Sequence, residues 1–293
     1  MSGFSAEWLA LREPVDHRSR NQGLQADVLD YLAQIKPVEA GTIRIIDLGS
    51  GTGSNVRALA PHLNAFQHWT LVDHDPVLLQ AARIALLAWA DDVAKPDANQ
   101  AVSINLATVE SITIRKNAKV IAIEFRCADL VNDYRSILSE PADFITAAAF
   151  FDLVAESWLA QFCAALSKPL YTVLTYDGIE KWSPPEPMDG DILAAFHQHQ
   201  RTNKGFGAAV GPTAPERLES LLRAQNFITA CAPSPWVLDQ HDRGLIEQLA
   251  HGSANAVRET EILQPDDVDR WERLRKEAAH CEIGHVDFFA YKP

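Results

Sequence analysis

The stretch RIIDLGSGTGSN, Arg44 to Asn55, constrains this chain more than any other. A short β-branched apolar run ends in Asp47, glycines follow at Gly49, Gly51 and Gly53, and Val56, Leu59, Ala60 and Leu63 then recur at helical spacing. A buried strand that runs through a glycine turn into a helix brings bare backbone close to a small-molecule ligand. The same succession repeats at once. HWTLVDHDP reads as a second strand ending in Asp73, and Pro76 opens a helix with Leu78, Ala82, Ala85, Leu86 and Trp89 on one face. Strands alternating with helices predict an α/β fold with a parallel, doubly wound sheet and right-handed crossovers.

The remaining chain adds to that core. Residues 1–40 read as an N-terminal helical cap, helical from Ala6 to about Ile35 with a break at Pro14. The domain proper, 41–293, carries insertions near 91–119, 179–213 and 239–283. The first contains three β-like runs and no helical stripe, which predicts a hairpin leading into a third core strand at Val120 to Arg126. DFITAAAF and LYTVLTYDG read as the fourth and fifth strands, separated by a helix carrying Trp158 and Phe162. From Ile179 to about Thr213 the Pro and Gly punctuation predicts a loop with a short helix, and Pro215 suits a helix start. FITACAPSPWVL reads as a sixth strand, a polar helical segment from about Gln240 to Ala279 follows, and HVDFFAYKP is the last strand.

Composition narrows the function. A formal charge of -13 without any basic block argues against long nucleic acid or a membrane surface as a partner. The N-terminal residues meet charges too early for a secretory signal, and no apolar run is long enough to span a bilayer. Cys127, Cys163, Cys231 and Cys281 are scattered without a CxxC pair, which predicts reduced thiols, a cytoplasmic location and no metal cluster. Cys127 is expected to be a buried structural thiol facing away from the cofactor.

The glycines are spaced G-x-G-x-G, one residue shorter than the dinucleotide fingerprint, with Asp47 two positions before the first. A carboxylate beside the turn would repel a pyrophosphate but suits a cationic ligand. The combination resembles motif I of the class I S-adenosylmethionine-dependent methyltransferases, over roughly residues 42–178. That resemblance implies a Rossmann-like seven-stranded sheet with a final antiparallel strand, S-adenosylmethionine as cofactor and methyl transfer as the activity. It implies that Asp47, Gly49, Ser50, Gly51 and Gly53 surround the methionine portion, that Asp73 accepts from the ribose hydroxyls, and that His74, Asp129 and Leu130 flank the adenine. Asp73 and Asp75 could instead cap the helix at Pro76, and Asp129 the helix after it. Arg12, Asp16 and Arg20 fall on one helical face. Relatives often use an N-terminal arginine for the cofactor carboxylate, which nominates Arg20, with a surface ion pair to Asp16 as the alternative.

The acceptor side carries less signal. The D/N-P-P-Y/F motif of adenine, cytosine and glutamine amide methyltransferases is absent after the fourth strand, which reads AAAFFDLV. Ligands in such sheets sit beyond the carboxyl ends of the strands, which nominates Phe151 for the substrate and Asp152 and Tyr176 for catalysis, with Glu156 and Asp177 nearby. Asp152 could equally cap a helix. FHQHQRTNKGFGAAVGP gathers His197, His199, Arg201 and Lys204 among glycines where the family often inserts a lid. His197 or His199 is the candidate base, and Arg201 and Lys204 the candidates to bind an anionic acceptor. The expected reaction is methyl transfer to an oxygen or nitrogen of a small polar or anionic metabolite. The alternatives are a non-catalytic cofactor-binding regulator or assembly subunit, and an aminopropyltransferase, whose paired acidic signature is missing. Oligomeric state has no sequence signal.

Overall fold

The computed structural model describes residues 4–93 and 110–293. The run AVSINLATV of the first insertion therefore lies outside the described residues. Strands β1 (Thr42–Leu48), β2 (Phe66–Asp73), β5 (Lys119–Cys127), β6 (Phe144–Ala148) and β7 (Leu170–Ser183) are parallel and lie in the order β5-β2-β1-β6-β7. β10 (His280–Tyr291) runs antiparallel between β7 and β8 (Ile228–Pro233). On the other edge β4 (Glu110–Lys116) pairs antiparallel with β5, and the short β3 (Asp92–Val93) pairs antiparallel with β4. Successive strands depart in opposite directions from β1, so the crevice between the ends of β1 and β6 is the topological switch point, where ligands of open α/β sheets bind.

Burial follows the pattern of a sheet covered on both faces. β1 is buried from Ile45 through Leu48, and β2 from Trp69 through Asp73. One core gathers Ile43, Ile45, Trp69, Leu71, Leu86 and Phe144 with Val28 and Leu32 of α2 (Gln22–Gln34). The other gathers Ile46, Leu48, Phe151, Trp158 and Phe162, the last two from α6 (Glu156–Ala165), with Leu218 and Leu222 of α8 (Ala214–Ala224).

Several boundaries differ from the sequence expectation. Pro14 does not break the first helix: α1 runs Ala6–Ser19 with Pro14 inside it, capped by Ser5, whose hydroxyl accepts from the Trp8 N–H at 3.1 Å. The break comes at Arg20, and Asn21 caps α2 by accepting from the Leu24 N–H at 3.0 Å. β7 continues past Gly178 to Ser183, because β10 begins at His280 and supplies partners as far as Ser183. That leaves α7 (Asp189–Gln200) as a full helix where a loop with a short helix was expected. The sixth strand is split at Ser234 and Pro235 into β8 and β9 (Trp236–Leu238), both paired to β10. The C-terminal insertion is two helices, α9 (Arg243–Arg258) and α10 (Pro265–Lys276), which pack on each other, with α9 also against α7.

Candidate active site

The turn after β1 is held in a shape that glycine alone adopts readily. Gly49, Gly51 and Gly53 have φ of 62°, 52° and 74°. A Cβ on Gly49 would stand 2.8 Å from Cδ2 of Phe150, so aromatic surface lies directly on the turn. The Ser50 N–H donates to the Val72 carbonyl at 3.0 Å and the Gly51 N–H to Oδ2 of Asp73 at 2.8 Å, which string the turn along the end of β2. Oδ1 of Asp73 accepts from the Asp75 N–H at 3.0 Å. Asp75, not Asp73, caps α4 (Pro76–Trp89), accepting from Val77 N–H at 2.8 Å.

Helix α1 lies over this turn. A Cβ on Gly51 would meet Leu9 at 3.1 Å, and His17 Nε2 is 3.0 Å from Ser54 Oγ on α3 (Ser54–Leu59). Glu13 grips Arg57 through both carboxylate oxygens, at 2.6 and 2.5 Å. Between helix and turn is a cavity lined by Leu9, Arg12, Asp16 and Arg20 from one side and by Asp47, Gly49, Ser50, Gly51, Thr52, Ser54, Asn55 and Ala148 from the other. The helical face Arg12–Asp16–Arg20 foreseen in the sequence is therefore the inner wall of this cavity. Arg12 Nε donates to Asp16 Oδ2 at 2.8 Å. Arg20 is not a surface ion pair with Asp16: it is only 6% exposed, and its Nε and Nη1 have no partner.

Asp47 faces it. Asn55 donates to Oδ1 of Asp47 at 2.8 Å and to Thr146 Oγ1 at 2.9 Å, tying the ends of β1 and β6 together. Oδ2 of Asp47 and the Ser50 hydroxyl are buried and unpartnered. Burial pushes the Asp47 carboxyl up to about 7, against the opposing pull of Asn55 and Arg20. Asn55 was missed in the sequence; an amide in the first turn of a helix has no distinguishing spacing, and only the fold brings it under Asp47.

At the ends of β2 and β5, His74 is exposed, with Nδ1 3.4 Å from Asp73 Oδ1. Asp129 is exposed and caps α5 (Leu130–Ser139): Oδ1 accepts from Val131 N–H at 2.9 Å and Oδ2 from Asn132 at 2.8 Å. The Leu130 carbonyl accepts from Trp158 Nε1 at 2.9 Å. Cys127 is exposed with its sulfur 3.5 Å from the His74 carbonyl, so the expected buried thiol on the far side is instead at the carboxyl edge of the sheet.

Beyond β6, Ala149 has a φ of 50°, rare for a residue with a side chain, and a short turn Phe151–Leu153 follows. Phe151 is fully buried against Phe150 and Phe162, which removes it from any substrate contact. The aromatic next to the glycine turn is Phe150, itself buried and edge-on to Trp158 and to Phe206 of the loop after α7. Asp152 caps no helix; it is 8% exposed, its Oδ1 has no partner, and burial raises its carboxyl to about 6. Glu156 is paired with Arg217, and Asp177 accepts from Ile179 N–H at 2.9 Å.

The basic stretch after β7 divides. Tyr176 is buried, its hydroxyl 3.0 Å from Glu180 Oε1 and 3.1 Å from His197 Nε2. Burial and then Arg201 lower the His197 pKa, favouring the neutral imidazole beside Tyr176. His199 turns away to Glu259 at the end of α9, at 2.9 Å, and Lys204 Nζ is 3.4 Å from His199 Nδ1. Arg201 is exposed at the C-terminus of α7. The structure thus groups Tyr176 with His197, and places His199 and Lys204 in a separate network with α9.

No family model and no curated protein matches the chain by sequence. Among solved structures, it resembles a cyclopropane-fatty-acyl-phospholipid synthase-like protein from Lactobacillus casei ATCC 334, with TM-score 0.50 and 16% identity over 99% of this chain and 95% of that one. It also resembles phosphoethanolamine N-methyltransferase 2 of Haemonchus contortus, with TM-score 0.45 and 12% identity over 100% of this chain and 59% of that one, so it spans about three-fifths of that enzyme. A third similar structure is the plantazolicin methyltransferase BpumL, with TM-score 0.45 and 12% identity over 98% and 88% of the two chains. The strand order and the first of these likenesses establish a Rossmann-like, mostly parallel α/β fold shared with that synthase-like protein. Among the described residues no helix is long and apolar enough to cross a membrane, and no cluster of His, Cys, Asp and Glu could hold a metal ion.

Proposed function

We propose that this protein is an S-adenosylmethionine-dependent methyltransferase acting on an oxygen or nitrogen of a small polar or anionic metabolite. The observation that carries the reading is the opposition of Arg20 and Asp47 across the cavity at the glycine turn. A buried guanidinium and a buried carboxylate, each with unpaired atoms, are costly unless something pairs with them. Their chemistry complements an α-amino acid: Arg20 and Ser50 donate to a carboxylate, and Asp47 accepts from an ammonium. A pyrophosphate would meet Asp47 instead of a donor at this turn.

When bound, S-adenosylmethionine supplies an electrophilic methyl group; the protein's work is to hold, orient and exclude water. Arg20 and Asp47 would fix the methionine end and Asp73 the ribose, using carboxylate lone pairs beyond those taken by Gly51 and Asp75. His74, Asp129, Leu130 and Phe150 would border the adenine. Asp152, with an unpartnered oxygen and a raised pKa, would accept a proton from an acceptor that must lose one. Tyr176 and His197 form a hydrogen-bonded unit beside it, whereas His199, Arg201 and Lys204 have a structural place at the surface.

The test is release of S-adenosylhomocysteine on incubating the protein with S-adenosylmethionine and panels of small polar metabolites. Wild type is expected to turn over with an acceptor and Asp73→Ala to lose turnover. Binding of S-adenosylmethionine without turnover on any acceptor would favour a regulator over an enzyme.

A further inference from the structure

Next to the glycine-turn cavity is a second set of polar groups, brought together from five parts of the chain. Arg12, which lines the glycine-turn cavity, also lies over the Trp236 ring, 5.6 Å from its centroid. The Trp236 ring is 5.0 Å from that of His285 on β10, and His285 is 6.1 Å from Tyr176 on β7. Asp152 belongs to the turn Phe151–Leu153, which packs against β7, and its charge acts on both Arg12 and Tyr176. In this cluster Oδ1 of Asp152, Nε1 of Trp236 and Nδ1 of His285 all lack a partner, in residues 8%, 3% and 7% exposed. Arg12 makes one hydrogen bond, through Nε to Asp16, which leaves its two terminal amino groups to donate elsewhere.

Orphaned buried polar atoms are uncommon in native proteins, and the Trp236–His285 pair, with Asp152 on the turn that packs on β7, marks a place where something else supplies the partners. Their polarity is divided. Trp236 Nε1 and the Arg12 amino groups can only donate; the Asp152 carboxylate can only accept. We infer that Arg12, Asp152, Tyr176, Trp236 and His285 bind the methyl acceptor, and that the acceptor is a small amino or hydroxy acid. Its carboxylate takes the hydrogen bonds of Arg12 and Trp236, and its N–H or O–H points at Asp152. As the acceptor reacts, that N–H or O–H bond breaks, its electron pair stays on nitrogen or oxygen, and the proton forms an O–H bond with Oδ1 of Asp152. This inference rests on the cofactor reading above, and the experiment separates the two.

Protein saturated with S-adenosylhomocysteine is titrated calorimetrically with straight-chain amino acids from glycine to 5-aminopentanoate, the corresponding hydroxy acids, and the amine and carboxylate of each length as one-ended controls. At least one two-ended compound is expected to bind at least ten times more tightly than both of its one-ended controls. Trp236→Phe and Asp152→Asn are each expected to weaken that binding at least tenfold while leaving S-adenosylhomocysteine affinity within twofold and thermal unfolding cooperative. If S-adenosylhomocysteine binds normally and no two-ended compound outbinds its controls, the acceptor class is wrong. Equal binding by the two variants and wild type would remove Trp236 and Asp152 from the site. Failure of S-adenosylhomocysteine itself to bind would overturn the cofactor reading and this inference with it.

Discussion

Arg20 and Asp47 face the same small cavity with opposite charges, yet no hydrogen bond joins them: Nε and Nη1 of one and Oδ2 of the other have no partner at all. A salt bridge built for stability would close that gap. Left open under α1, the pair would complement a third, zwitterionic participant, as the proposed function requires.

The pair therefore trades stability for binding. Arg20→Met keeps the apolar stem and removes a buried guanidinium whose Nε and Nη1 have no hydrogen-bond partner, so the free protein is expected to melt no lower than wild type. Its affinity for S-adenosylhomocysteine should fall by about 1.5–3 kcal/mol, roughly ten- to hundredfold, the worth of a hydrogen bond to a charged group. Calorimetry and thermal melts on the same samples check both halves.

Binding should depend on pH through Asp47. Burial pushes its carboxyl up to about 7, above the unfolded value of about 3.9. Between those values the folded free protein holds a proton that the unfolded chain has released, so this group's contribution to stability falls as pH rises through the window. A ligand ammonium favours the ionised carboxylate. Affinity for S-adenosylhomocysteine is thus expected to rise up to about tenfold per pH unit from about pH 5 to 7, then level off. Asp47→Asn should flatten the slope and weaken binding.

Gly49→Ala places a Cβ 2.8 Å from Phe150 in a residue with φ of 62°. The expected loss of stability is about 1–3 kcal/mol, from left-handed backbone strain and overpacking together. Adding Phe150→Leu should recover the packing part only. Chemical denaturation of the single and double variants separates the two.

His199→Ala and Lys204→Ala remove contacts with each other and with Glu259 at the edge of α9. Exposed pairs of this kind contribute about 0–1 kcal/mol. Both variants are expected to bind S-adenosylhomocysteine and acceptor like wild type, whereas His197→Ala, which leaves Tyr176 short of a partner, should impair acceptor turnover. Steady-state kinetics on the three variants tests the division of the basic stretch.

The turn proposed to hold the cofactor was legible as a turn because it depends on local order: the glycines, Asp47 before them and Asp73 at the end of the next strand all lie within one strand–helix–strand unit. Arg20 was legible too, since the spacing to Arg12 and Asp16 is a helical period. The acceptor half was not. Trp236 and His285 come from strands β9 and β10 near the C-terminus, and no spacing links them to Arg12 or Asp152. His199, Arg201 and Lys204 stood out because they are basic in an acidic chain, but periodicity puts His197 and His199 on different faces of α7, and the tertiary contacts with α9 decide their roles. The continuation of β7 past Gly178 was hidden for the same reason: its pairing partner lies about a hundred residues away in β10.

The central claim is the cofactor, and the most direct measurement is isothermal titration of the wild-type protein with S-adenosylhomocysteine and, separately, with NADH. Micromolar binding of S-adenosylhomocysteine and none of NADH is the predicted result. Binding of NADH without S-adenosylhomocysteine would contradict the assignment of Arg20 and Asp47 to an amino acid end and move the glycine turn back to a phosphate.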